Sequence, residues 1–149
     1  MLTTIERVIL LRRVDVFTGV PTEKLAELAA VSEEVDRLEG DVLFRESEPS
    51  DALYLVIHGE IRLTAEGQWV ADVGPEEAIG TWALFDDEPR IATATVTRDA
   101  RLLRIRTNRF QELLSDHTEI AQAVLRTLAQ RFRSLARDST DTTRTTQAD

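Results

Sequence analysis

Cysteine is absent from this chain of 149 residues, and that absence removes several chemistries at once. Disulfide scaffolds, zinc ribbons, thiol redox centres, cysteine nucleophiles and iron–sulfur clusters all need the missing sulfur, and nothing points to an oxidising compartment. Histidine is nearly as scarce. The two present, His58 and His117, lie far apart, one read at a turn and the other at the opening of a helix. A transition-metal site on a β-scaffold needs several histidines with a carboxylate, so no metal is expected. Serine is sparse, and neither histidine stands in a nucleophile-base arrangement; no catalytic residue is assigned, and the chain is read as non-enzymatic. Apolar runs stop short of the roughly 18 residues of a membrane span. The opening MLTTIERVILLRRV carries arginines within and after its apolar stretch, unlike a secretory signal. A cytoplasmic location without a membrane span is the expectation.

What the chain does have is charge: 30% of its residues are charged and 42% hydrophobic, enough apolar content for one core in one domain. The net charge of −9 opposes sequence-blind binding to nucleic acid, whose affinity comes from basic side chains displacing counterions. The balance shifts along the chain, from −12 over residues 1–97 to +5 over 98–137 and −2 over 138–149.

Leu2, Ile5, Val8 and Ile9 recur at three- and four-residue spacing and predict a short amphipathic helix within Thr3–Val14. After a break at Thr18-Gly19-Val20-Pro21, a second helix places Leu25, Leu28 and Ala29 on one face, with Pro21 near its first turn, and ends near Ser32. From Val35 to Ile105 the runs are short and rich in Val, Ile, Thr and aromatics. They are punctuated by Gly40, Pro49-Ser50-Asp51, His58-Gly59, Glu66-Gly67 and Gly74-Pro75, which predicts eight or so strands. Helical spacing returns with Phe110, Leu113 and Leu114. A long helix then opens on Asp116, with Glu119 three residues on in the form of a capping box. The expected fold is mainly β with flanking helices: a double-stranded β-helix or β-roll (jelly roll) with N-terminal helices and a long C-terminal helix, filling residues 1–137. The polar run over 138–149 is expected to be a disordered tail.

One stretch carries a specific resemblance. Gly80-Thr81-Trp82-Ala83-Leu84-Phe85-Asp86-Asp87-Glu88-Pro89-Arg90-Ile91-Ala92-Thr93 resembles the phosphate-binding cassette of the cyclic nucleotide-binding domain family. Glu39-Gly40-Asp41-Val42-Leu43-Phe44, Asp51-Ala52-Leu53-Tyr54-Leu55-Val56, Gly59 and Val73-Gly74-Pro75 stand in matching order, so the resemblance covers roughly residues 5–137. It implies a regulatory sensor for cyclic AMP, cyclic GMP or another small anionic ligand, with no further cofactor. In such a cassette a turn aims backbone N–H groups at a phosphate and an arginine adds a charge-assisted contact. By resemblance Arg90 takes the phosphate and Gly80 permits close approach. Ala83, Leu84, Ile91 and Ala92 supply backbone or wall, and Trp82 replaces a smaller aliphatic residue. Thr81 stands where the family places a ribose-binding glutamate. A neutral acceptor contributes about 0.5–1.5 kcal/mol, against about 1.5–3 for a charged one, which implies binding weaker by tenfold or more. Glu76 stands where a glycine commonly follows the proline.

Each residue also has a plainer reading. Arg90 either holds phosphate or pairs with the neighbouring Asp86, Asp87 and Glu88, since a guanidinium fork serves both. Thr81 is a turn hydroxyl or a sugar contact, and Trp82 a core or pocket-wall aromatic or a base platform. Arg126, Arg131, Arg133 and Arg137 read as the solvated flank of the long helix rather than a nucleic-acid surface. The stripe Ile120, Val124, Leu128 and Phe132, reinforced by Leu125 and Leu135, packs on its own β-roll or pairs with a twin in a homodimer. In bacterial regulators of the family a helix-turn-helix module follows this helix. Only twelve polar residues follow here, so no direct DNA binding by this chain is expected. Two other readings stand beside the sensor: a ligand-free docking or dimerisation module, and the sensor half of a transcription regulator lacking its DNA-binding domain.

Overall fold

The computed structural model describes residues 1–138 with their side chains. The tail expected over 138–149 lies, but for Asp138, outside the residues whose side chains are described. Helix α1 (Thr4–Leu11) opens on a reciprocal cap: the Glu6 N–H donates to Thr3 Oγ1 and the Thr3 N–H to Glu6 Oε1. A 3₁₀ turn over Asp15–Phe17, not expected from the pattern, buries Val16 and Phe17 before α2 (Thr22–Val31). In α2 the buried residues are Leu25, Leu28 and Ala29, the face expected, and Pro21 stands at the cap just before the first turn. Strands β1 (Glu33–Arg37), β2 (Val42–Phe44), β3 (Ala52–Ala65), β4 (Gln68–Val73), β5 (Ala78–Ile79) and β6 (Thr93–Arg106) follow, then α3 (Thr107–Asp116) and α4 (Thr118–Ala148).

All the strands pair antiparallel in one sheet ordered β1-β6-β3-β4, with β2 also on β6 and β5 also on β3. The fourteen-residue strands β3 and β6 form its spine. Three register shifts between Val56 and Ile61 bend that spine into a roll. His58 and Gly59 sit in this bend and not in a turn, and among the described residues the strand segments number six where about eight were expected. Gly59 holds φ at 93°, and a Cβ there would lie 2.5 Å from Asp99 O and 2.7 Å from Ala100 Cα, so the strands can cross closely only at glycine.

Successive side chains of a strand point to opposite faces, and here both faces are covered. Leu53 and Leu55 of β3 and Leu103 and Ile105 of β6 join the helices in one core, with Leu11, Phe17, Leu28, Phe110, Ile120 and Val124. Tyr54, Val56, Leu102, Ala94 and Val96 turn the other way and fill the roll with Phe44 and Ile61. A continuous apolar run such as 53–57 is what double burial requires. Asp116 closes α3, and α4 begins two residues later, so Asp116 is not the cap of the long helix. The proximal part of α4 lies on the chain's own core; Leu128 is half-buried, and Leu125, Phe132 and Leu135 are 65%, 72% and 67% exposed. Among the described residues no helix is long and apolar enough to cross a membrane.

Candidate functional site

Between β5 and β6 the chain leaves the sheet and returns through a single 3₁₀ turn, Thr81–Leu84, opened by Gly80 in the left-handed conformation (φ 76°, ψ 30°). Such a turn has about three residues per revolution, so its side chains diverge. Ala83 and Leu84 point inward and are buried, whereas Trp82 stands 61% exposed. Above the turn lies a cavity of about 490 Å³, inside the roughly 300–1,000 Å³ range of small-ligand sites. Its walls include Gly80, Thr81, Trp82, Ala83, Arg90, Ile91 and Ala92. Of the expected ligand-binding residues Leu84 alone does not line it, because it is locked in the core with Phe110 and Ile120. Ile91 lines the mouth and is 88% exposed.

Arg90 is the one cation among the described lining residues, and its side chain is only 3% exposed. Nη2 donates to Ala52 O at 2.8 Å and stands 3.5 Å from Asp51 Oδ1. The guanidinium carbon lies 4.0 Å from the centroid of the Phe44 ring and 6.0 Å from that of Tyr54. The contacts expected with Asp86, Asp87 and Glu88 are not made; the pairing carboxylate is Asp51, from the loop before β3. Backbone bonds fix the arginine's own position, with the Arg90 N–H donating to Glu48 O and the Ser47 N–H to Arg90 O. Nε is buried with no partner. Burial lowers the pKa of the guanidinium and Asp51 opposes the shift, but an arginine in a protein stays protonated. Glycine suits residue 80, because its φ of 76° is left-handed and a Cβ there would lie 3.2 Å from Ala52 O and meet Nη1 of Arg90.

The turn and Arg90 line one cavity with a far wall that the cassette pattern did not include: Phe44, Ser50, Leu63, Val70, Ala78 and Ile79. Nor did the pattern include the Arg90 partners Asp51 and Ala52. Phe44, Asp51 and Ala52 fall in the motifs that matched the family order, which was the available signal. Asp86 and Glu88 also line the cavity and make its rim acidic. Beneath the turn, Thr107 Oγ1, at the start of α3, donates to Ala83 O at 2.8 Å. Aromatic contacts run from Trp82 to Phe85 (6.2 Å between centroids), to Phe110 (5.6 Å, edge-on) and to Phe17 (6.0 Å). Arg126, Arg133 and Arg137 are exposed, and Arg131 Nη2 lies 3.1 Å from Asp15 Oδ1. Among the described residues no group of three or more His, Asp or Glu is placed to hold a metal ion.

A rolled antiparallel sheet with a short glycine-opened turn and a buried arginine over a cavity is the architecture of a β-roll sensor. The chain belongs to the cyclic nucleotide-binding domain family, whose model matches residues 35–117. A CRP-like cAMP-activated global transcriptional regulator of Mycobacterium tuberculosis is 30% identical over 129 residues, which are 83% of this chain and 58% of that regulator. The N-terminal domain of a transcriptional regulator from Streptomyces coelicolor A3(2) superposes with a TM-score of 0.79 at 38% identity, covering 85% of this chain and 94% of that one. Lysophospholipase nte1 of Aspergillus terreus matches at 32% over 101 residues, 64% of this chain but 7% of the enzyme. The likeness to an enzyme is thus confined to one small part of it. Family and fold are those of a regulatory domain.

Proposed function

We propose that this chain is a non-enzymatic cytoplasmic sensor that binds a cyclic nucleotide, cyclic AMP or cyclic GMP, or another small anionic ligand weakly in the Gly80–Ala92 cavity and signals through α3 and α4. One observation carries the reading: a buried arginine lines a ligand-sized cavity with Nε left unpaired. An orphaned donor of this kind costs about 1–3 kcal/mol, and a guanidinium in the cavity wall offers a phosphate charge-assisted hydrogen bonds. The family and the regulator of Mycobacterium tuberculosis support a cyclic nucleotide as the anion. Thr81, in the lining, offers a sugar hydroxyl only a neutral acceptor, which would make binding weak. Ligand in the cavity would bias α3 through the Thr107–Ala83 hydrogen bond, a local change with a distant readout.

The exposed distal face of α4 supports pairing with a second copy, with Phe132 and Leu125 at the seam, because large apolar side chains in water mark association surfaces. Ile120 and Val124 are already taken by the chain's own core. The ligand-free docking reading draws on the same arginine, since Ala52, Asp51 and Phe44 hold it without a ligand.

The test is a titration with cyclic AMP and cyclic GMP, followed by tryptophan emission and thermal stability. A ligand that binds only the native state raises the melting temperature by mass action. Thr81→Glu should tighten binding about tenfold or more by restoring a charged acceptor. A folded wild-type sample unresponsive to millimolar ligand overturns the sensor in favour of the docking module.

A further inference from the structure

The rim of the cavity differs in kind from its inner end. Three apolar side chains of the lining stand in water there: Trp82, Val70 and Ile91, at 61%, 50% and 88% exposure. The two acidic side chains of the lining, Asp86 and Glu88, are exposed there as well. An exposed apolar patch edged by polar groups marks a binding surface. The indole is not used by the core, its nearest ring contact being Phe85 at 6.2 Å and 59°.

We infer that Trp82, flanked by Val70 and Ile91, is a stacking platform for the base of a nucleotide whose cyclic phosphate lies against Arg90. This rests on the reading of the cavity as a cyclic nucleotide site. Gly80 abuts the guanidinium, and Trp82 follows two residues later, at most about 7 Å along the chain. That separation suits the one sugar ring that joins a phosphate to its base. The acidic rim fits the same ligand: carboxylates accept hydrogen bonds from the exocyclic amino group of a base and repel a second phosphate charge. Stacking on an aromatic face tolerates any base, and it supplies affinity that the neutral Thr81 withholds from the sugar.

The experiment uses the full chain. In Trp69→Phe the indole of Trp82 is the only one left, since the chain has two tryptophans, and cyclic AMP should change its emission. Calorimetric titration of Trp82→Ala, whose melting should match the wild type because the side chain is exposed, should show affinity for cyclic AMP lowered about ten- to hundred-fold. Trp82→Phe, which keeps a ring, should stay within several-fold of the wild type. If the wild type binds and Trp82→Ala binds equally well, the platform is overturned and the anion site stands. If the wild type does not bind cyclic AMP at millimolar concentration, both readings fall.

Discussion

Replacing Arg90 with methionine separates the arginine's part in binding from its part in folding. The hydrogen bond of its charged Nη2 to Ala52 O contributes about 1.5–3 kcal/mol. The contact over Phe44 at 4.0 Å adds about 0.5–2 kcal/mol. The pair with Asp51, whose carboxylate is 80% exposed, adds no more than about 1 kcal/mol. Against these stands the orphaned Nε, which alone costs about 1–3 kcal/mol. The burial of a cation also opposes folding, a cost reported in sign by the lowered pKa. Methionine keeps an elongated apolar stem against Phe44 and brings no donor to be left unpaired. The opposing terms nearly cancel, and the expected loss is about 1–2 kcal/mol, or roughly 2–8 °C in melting temperature for a domain of this size. Binding has no such compensation. The variant leaves an anion facing Asp86 and Glu88 with no cation in the lining, so affinity for cyclic AMP should fall about a hundredfold or more. Thermal denaturation and calorimetric titration of both proteins read the two effects separately. A stability loss above about 4 kcal/mol would identify Arg90 as a structural pin, and unchanged affinity would refute its role as the anion contact.

Acid should loosen the attachment of α1 to the sheet. The backbone N–H of Leu2, and after it the Arg7 guanidinium, hold the Glu34 carboxyl below its ordinary 4.5, against the opposing effect of burial. The unfolded chain therefore takes up this proton first as pH falls, so the stabilisation is present above the ordinary value and lost as pH drops through the lowered one. Glu34→Gln should shrink the difference in melting temperature between pH 7 and about pH 3, and an unchanged difference would count against the assignment. On α4, Leu125→Glu with Phe132→Glu should convert a two-chain particle to a single chain in light scattering, and equal masses for wild type and variant would remove the dimer.

The architecture was legible wherever one local pattern decided burial. The face Leu25, Leu28 and Ala29 is what a helix of 3.6 residues per turn must bury, and the run 53–57 is what a strand covered on both faces must contain. Elsewhere long-range pairing overruled the local signal. His58-Gly59 has the composition of a turn, yet β6 runs opposite it and makes it a bulge in a longer strand. Asp116 and Glu119 have the spacing of a cap, yet the chain breaks at His117, after Asp116 has closed α3. At the site, the acids nearest Arg90 in sequence are not its partners, because the roll brings Asp51, 39 positions away, against it. An apolar stripe states only that a face wants cover; where α3 and the sheet end, Phe132 is left in water.

The same geometry suggests how occupancy could leave the cavity. A four-residue turn has no interior of its own, so its buried side is necessarily another element's core. Leu84 sits among the residues that seat α3 and α4, and Ala83 O is tied to the first residue of α3. Because packed interiors resist continuous deformation, a ligand that drew the outer side of the turn toward Arg90 would have to carry Leu84 and Phe85 with it. Phe85 meets Phe110 edge-on at 5.6 Å, and Phe110 meets Phe17, whose turn touches α4. On the proposed reading, α3 is the element such a ligand would bias, and α4 would respond through its contacts with α3 and the Asp15–Phe17 turn rather than through any contact of its own with the anion.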